Sequence, residues 1–179
     1  LLSNDNINIQ ANQVDIDSNI NTKKELNISA NKGDLTLAKT LTSVGNMNLS
    51  AAVGGINANQ LNAKSTAGNL NLLANGHVLI DGSDKAKATI TGGKGVTISS
   101  LTQGNTTVKN TNVKSEQGYI LVKSNAQTIL KDASLDSKKN IELFAKDNLI
   151  LDGVKSTSKQ HTALNAKKNI YINSEADEK

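Results

Sequence analysis

The chain contains no cysteine, no proline, no tryptophan and no arginine. Without cysteine there is no disulfide framework and no thiolate metal site. Two tyrosines and one phenylalanine are its only aromatic residues, so a core filled with rings is excluded. Any core must be narrow and built from Leu, Ile, Val and Ala. No apolar run approaches the ~18 residues of a membrane-crossing helix. The net charge is +4, every basic residue is a lysine, and lysines cluster only as pairs, which argues against nucleic acid as a partner. The opening Leu1-Leu2-Ser3-Asn4 has neither the charged region nor the cleavage site of a secretory leader. The sequence is therefore read as one domain, 1–179, belonging to something longer.

What is present is Asn, Ser, Thr, Gly and Lys around an aliphatic minority. Such a composition fits disorder, but the spacing of the aliphatic residues contradicts that. Ile7, Leu26, Met47, Leu70, Val96, Ile120, Ile141 and Ile170 serve as anchors. Two residues after each stands Ile9, Ile28, Leu49, Leu72, Ile98, Val122, Leu143 or Ile172. Four residues after each anchor the residue is always Ala or Ser. This is a strand with one inward face, large-large-small, ending at a tight corner. The residues between are polar, as Asn8, Asn27, Asn48 and Asn71 show.

The anchors are spaced 19, 21, 23, 26, 24, 21 and 29 residues apart, the differences of their numbers. A constant pattern at variable spacing describes coils of one architecture with loops of different length. A return strand precedes each next anchor, with an aliphatic residue followed two on by a small one. Its members are Ile20/Thr22, Leu41/Ser43, Leu61/Ala63, Ile90/Gly92, Val113/Ser115, Leu135/Ser137 and Leu164/Ala166. Gly45, Gly68 and Gly118, two residues before their anchors, suit a corner that demands positive φ. A third strand turns Val14/Ile16, Leu35/Leu37, Ile56/Ala58, Val78/Ile80, Ile129 and Leu149/Leu151 inward, with Thr106-Thr107-Val108 the weakest match.

One coil of this size cannot bury its own aliphatic face. Stacking coils at about 4.8 Å covers that face and pairs every backbone group along the axis. The expected fold is an all-β, right-handed parallel β-helix of about eight three-stranded coils, the hand following from the rule for parallel crossovers. Asparagines at equivalent turns are expected to form amide ladders. No capping helix is expected at either end. The polar run from Glu175 to Lys179 reads as a frayed end or as a place where a longer chain was cut.

The motif aliphatic-Asn-aliphatic-x-Ala-Asn occurs as Ile7-Asn8-Ile9-Gln10-Ala11-Asn12, Leu26-Asn27-Ile28-Ser29-Ala30-Asn31 and Leu70-Asn71-Leu72-Leu73-Ala74-Asn75. It resembles the repeats of the filamentous haemagglutinin family, as does Leu164-Asn165-Ala166-Lys167-Lys168-Asn169-Ile170. The resemblance covers nearly the whole chain and defines a repeat class. It implies a shaft segment of a large exoprotein, secreted through an outer-membrane transporter partner and held at the bacterial cell surface. Such proteins are adhesins, haemolysins or the toxin-delivery proteins of contact-dependent growth inhibition. The alternative is a module that itself binds a target-cell receptor or an acidic glycan.

An enzyme is considered, because parallel β-helices also host polysaccharide lyases and hydrolases, but it ranks last among the readings. Asp132 and Asp152 fall near one corner of consecutive coils, with Asp81 at a similar place two coils before Asp132. Paired carboxylates there would suit acid–base chemistry or calcium. Asp81-Gly82 and Asp152-Gly153 are equally ordinary turn dipeptides, and no arginine is present to hold a uronate. His77 and His161 lack partners at metal-ligand spacing. No catalytic residue, metal or cofactor is assigned. The lysine pairs are the candidate binding residues. Lys138-Lys139 and Lys167-Lys168 are expected to stack at one corner, where Lys23-Lys24 recurs in the first coil. Stacked ammonium groups repel unless an anion shares them, which suggests a polyanion patch. A solvated turn that blocks lateral sheet pairing explains them as well. Two polar excursions, Asp81–Ala88 and Gly153–His161, are expected to protrude from the compact coils.

Overall fold

The structure is a computed structural model and describes residues 1–174. Glu175–Lys179, the polar run, lies outside the described residues. Among the described residues there is no helix, and the strands form three parallel sheets of eight strands each. Every coil contributes one strand to each sheet, so the chain is a parallel β-helix with three faces.

The first sheet runs from Leu2–Ser3 through Ile20–Thr22 and Thr40–Ser43 to Lys155–Ser158. The second runs from Ile7–Ala11 through Leu26–Ala30 and Met47–Ala51 to Thr162–Ala166. The third runs from Val14–Ile16 through Leu35–Leu37 and Ile56–Asn59 to Ile170–Asn173. Period-2 alternation explains all three, because each strand turns its aliphatic residues in and its polar ones out. In the second sheet Leu26, Met47 and Leu70 stack in register, as do Ile28, Leu49 and Leu72, and all six are fully buried. Each such side chain contributes roughly 1.5–3 kcal/mol of burial before entropy is subtracted.

The outward row of the second sheet carries an amide ladder. Asn27 donates to Asn8 at 2.9 Å, Asn48 to Asn27 at 2.8 Å and Asn71 to Asn48 at 2.9 Å. This ladder lies within the strands. At the corner between the first and second sheets, the small residues are hydroxyl-bearing for a reason. Ser65 Oγ donates to the Gly45 carbonyl at 2.8 Å, and Ser137 Oγ donates to the Gly118 carbonyl at 2.6 Å. These bonds add to those the corner carbonyls already accept, from the Lys139 amide at Gly118 and from the Ser43 hydroxyl at Gly45, and so tie successive coils together at the corner.

The glycines at that corner do not have positive φ. Gly118 is needed because a Cβ there would collide with the Lys94 carbonyl of the coil below. Left-handed backbone occurs instead between the third and first sheets, at Lys39 (φ 65°), Gln60 (53°), Asn110 (45°), Asp132 (51°) and Gly153 (60°). These residues occupy the equivalent turn of different coils.

Seven of the anchors lie in the second sheet as expected, but Ile170 does not. It belongs to the third sheet and pairs with Leu149. The last strand of the second sheet is Thr162–Ala166, where Leu164 stacks on Leu143. The return strand of that coil is Lys155–Ser158, with Ser156 on Leu135. The 153–161 excursion is therefore an ordinary coil segment. The register decides this outcome: stacking Leu164 on Leu143 keeps the coil compact, whereas the alternative leaves a long unsupported loop.

Two smaller shifts have similar causes. Ala63, and not Leu61, stacks on Leu41, and Leu61 is an extra buried residue at the turn. Ile129 points outward, in register with Ile150 and Tyr171. Thr128 and Leu130 point inward in its coil, both fully buried. The Thr128 hydroxyl donates to the Phe144 carbonyl at 2.6 Å, which is how a polar residue is accommodated in the core.

Candidate functional site

The lysine pairs do not meet. Lys138 and Lys139 lie between the strands Ser134–Ser137 and Ile141–Ala145, at the corner of the first and second sheets. Lys167 and Lys168 lie between Thr162–Ala166 and Ile170–Asn173, at the corner of the second and third sheets. The Lys168 ammonium pairs with Asp147 at 2.9 Å, on the coil below. Lys23 and Lys24 share the corner of Lys138 and Lys139 but sit several coils away, and Lys24 pairs with Asp5 at 2.6 Å. The expected stack of four ammonium groups is absent, because the last coil takes a different register.

The carboxylates singled out for chemistry do share one corner: Asp132 and Asp152 lie on consecutive coils, the Asp132 amide donating to the Asp152 carbonyl at 2.9 Å, and Asp81 lines a cleft with Asp132. Asp152 pairs in register with Lys131, and their charged groups are 3.9 Å apart. Asp81 pairs in register with Lys109 on the adjacent coil. Asp132 leans over Gly153, where a Cβ would lie 2.6 Å from its Oδ1. Glycine eases the turn at 153 without being required there, since the equivalent turn holds Lys39, Gln60, Asn110 and Asp132 at positive φ and a Cβ would meet only the end of the Asp132 side chain. Among the described residues, no three acidic, histidine or cysteine side chains converge as metal ligands would. The His77 ring covers Gly55 and is 2.8 Å from the Asn57 amide oxygen, a structural packing contact.

The 81–88 excursion does protrude. After Asp81 the chain leaves the corner, and Ser83 and Ala86 exchange two backbone hydrogen bonds of 2.9 and 3.1 Å to close a tight turn. The chain rejoins at Ala88, whose amide donates to the Asn110 carbonyl at 3.0 Å. This loop overhangs an open cleft of about 550 Å³ at the corner between the third and first sheets. Lys109 and Lys131 form its floor on adjacent coils, in register with each other. Asn110 and Asp132, both in left-handed backbone, stand beside them. Asp81, Asp84 and Lys87 complete the wall. The Lys87 ammonium reaches across to the Asp132 carbonyl at 3.2 Å.

Sequence reasoning placed Asp81, Asp132 and the loop in this region but missed Lys87, Lys109 and Lys131. The available signal was the row that ends each strand of the third sheet, Asp81, Lys109, Lys131 and Asp152, once the coils are correctly aligned. These features define a three-faced parallel β-helix with a charged cleft on its side. Compared with known proteins, the chain matches no family model, no curated protein and no solved structure.

Proposed function

We propose that this chain is a length of the stiff shaft of a secreted bacterial surface protein. In this role it acts as a spacer, holding an adhesive or toxic module away from the producing cell. The observation that carries the proposal is the coil-to-coil register maintained in all three sheets from the first coil to the last. A solenoid of this kind gains length by adding coils, and its stability is a sum of coil and neighbour contributions. Eight rungs at about 4.8 Å make a rod of roughly 35–40 Å. The repeated aliphatic-Asn-aliphatic-x-Ala-Asn motif supports the same role through its resemblance to filamentous haemagglutinin repeats. In that setting the full-length protein would pass through an outer-membrane transporter partner. No helix long and apolar enough to cross a membrane is present among the described residues.

The coding sequence on either side of this chain provides the test. The shaft reading expects further coils of the same pattern, a secretion domain upstream and a domain of different composition at the far end. A frame that closes just outside residues 1–179 would overturn it.

A further inference from the structure

We infer that the cleft under the 82–87 loop binds one sugar residue of an acidic polysaccharide, a ring bearing a single negative charge among neutral hydroxyls. This site goes beyond the shaft role and stands whether or not the chain is a shaft.

The charges of the cleft give the first argument. Lys109 and Lys131 occupy facing positions on adjacent rungs, about 4.8 Å apart along the axis. Like charges so placed repel, and the strain is relieved when an anion lies between them. Lys131 has a partial answer in Asp152 at 3.9 Å. Lys109 is half-buried and, although Asp81 stands in register beside it on the preceding coil, forms no ion pair among the described residues. Lys87, held across the cleft by its bond to the Asp132 carbonyl, brings a third ammonium to the same place.

The second argument is what surrounds those cations. Asp81, Asp84 and Asp132 line the same cleft. Ionised carboxylates only accept hydrogen bonds, so they suit hydroxyl donors and repel a second anion. A densely charged polymer such as nucleic acid or polyphosphate is thereby disfavoured. Asn110 offers both a donor and an acceptor. No aromatic or aliphatic side chain lines the cleft, which removes any platform for a lipid or an aromatic ligand. One anionic group flanked by hydroxyls describes a hexuronate or a monosulfated hexose.

Calorimetric titration at low ionic strength tests the inference. Four probes are used: trigalacturonate, its methyl ester, a monosulfated galactose trisaccharide, and inorganic sulfate alone. At least one charged trisaccharide should bind saturably, while the ester and inorganic sulfate bind far more weakly. Which charged probe binds identifies the anion as carboxylate or sulfate. Lys109→Gln should weaken that binding by about ten-fold or more, as loss of a charge-assisted hydrogen bond does. Lys64→Gln, on the outer face of the first sheet, should leave it unchanged. Should Lys109→Gln melt at a lower temperature than the parent, Lys131→Gln takes its place. The inference is overturned if neither charged trisaccharide binds, if the ester or sulfate alone binds equally well, or if the cleft and control variants lose affinity alike.

Discussion

The hydroxyl of Thr106 accepts the buried amide of Ser100 at 3.0 Å. It also donates to the Lys123 carbonyl of the next coil at 2.7 Å. Thr106 stands in the same inward row as Val78, its register partner. A valine there would fit the row and raise its hydrophobicity, yet it would leave the Ser100 amide without this partner. Thr106→Val should therefore lower stability by about 1–3 kcal/mol, read from the thermal melt. An equal or higher melting temperature would show that these hydrogen bonds contribute nothing.

Ile98 is fully buried in a middle coil, stacked between Leu72 and Val122. Ile98→Asp places a carboxylate in an aliphatic interior with no partner and should destabilise by more than about 4 kcal/mol. Because each coil is covered by its neighbours, several coils should lose amide protection together. Loss confined to residues 95–100, with the melt unchanged, would contradict the stacked core.

Asp5 and Lys24 link the first two coils through a 2.6 Å ion pair. The hydrogen bond from Lys24, and then its charge, hold the Asp5 carboxyl below its ordinary value of 3.8. The same hydrogen bond and charge raise Lys24 above 10.5. The Asp5 contribution is thus present above pH 3.8 and disappears as pH falls through its lowered folded value. The Lys24 contribution is present below pH 10.5 and disappears as pH rises through its raised folded value. Both groups are exposed, so the effect on stability is small. NMR titration should find the Asp5 midpoint below 3.8 and return it to the ordinary range in Lys24→Gln. An identical midpoint in both proteins would remove the pair from the account.

The fold was legible where shape alone decides the register. Leu26, Met47 and Leu70 announce a stacked row because each is followed by the same large and small partners. The last coil misleads for a physical reason. Ile170-Tyr171-Ile172, preceded by Lys168-Asn169 and followed by Ser174, imitates a strand of the second sheet in every local respect. Only pairing with the coil below, Leu149 under Ile170, assigns it to the third. Ile129 was misread because hydrophobicity favours it over Thr128, whereas the Thr128 hydroxyl finds a carbonyl inside. The cleft was hidden for a related reason. Lys87, Lys109 and Lys131 are far apart in sequence, and only the coil spacing brings them together.

Removal of one whole coil tests the central claim, a stack of equivalent coils in register, most directly. Met47 and Leu70 occupy the same position of successive coils, so deleting residues 47–69 joins Asn46 to Leu70 with the register intact. Deleting residues 50–71 instead joins Leu49 to Leu72 inside the strand and slips its far half by one residue, which turns inward side chains outward. Solution scattering and a thermal melt of both variants read the outcome. The first variant should fold cooperatively into a rod shorter by about 4.8 Å, and the second should lose much of its stability. Equal behaviour of the two deletions, or collapse of the in-register one, would contradict the stacked-coil account.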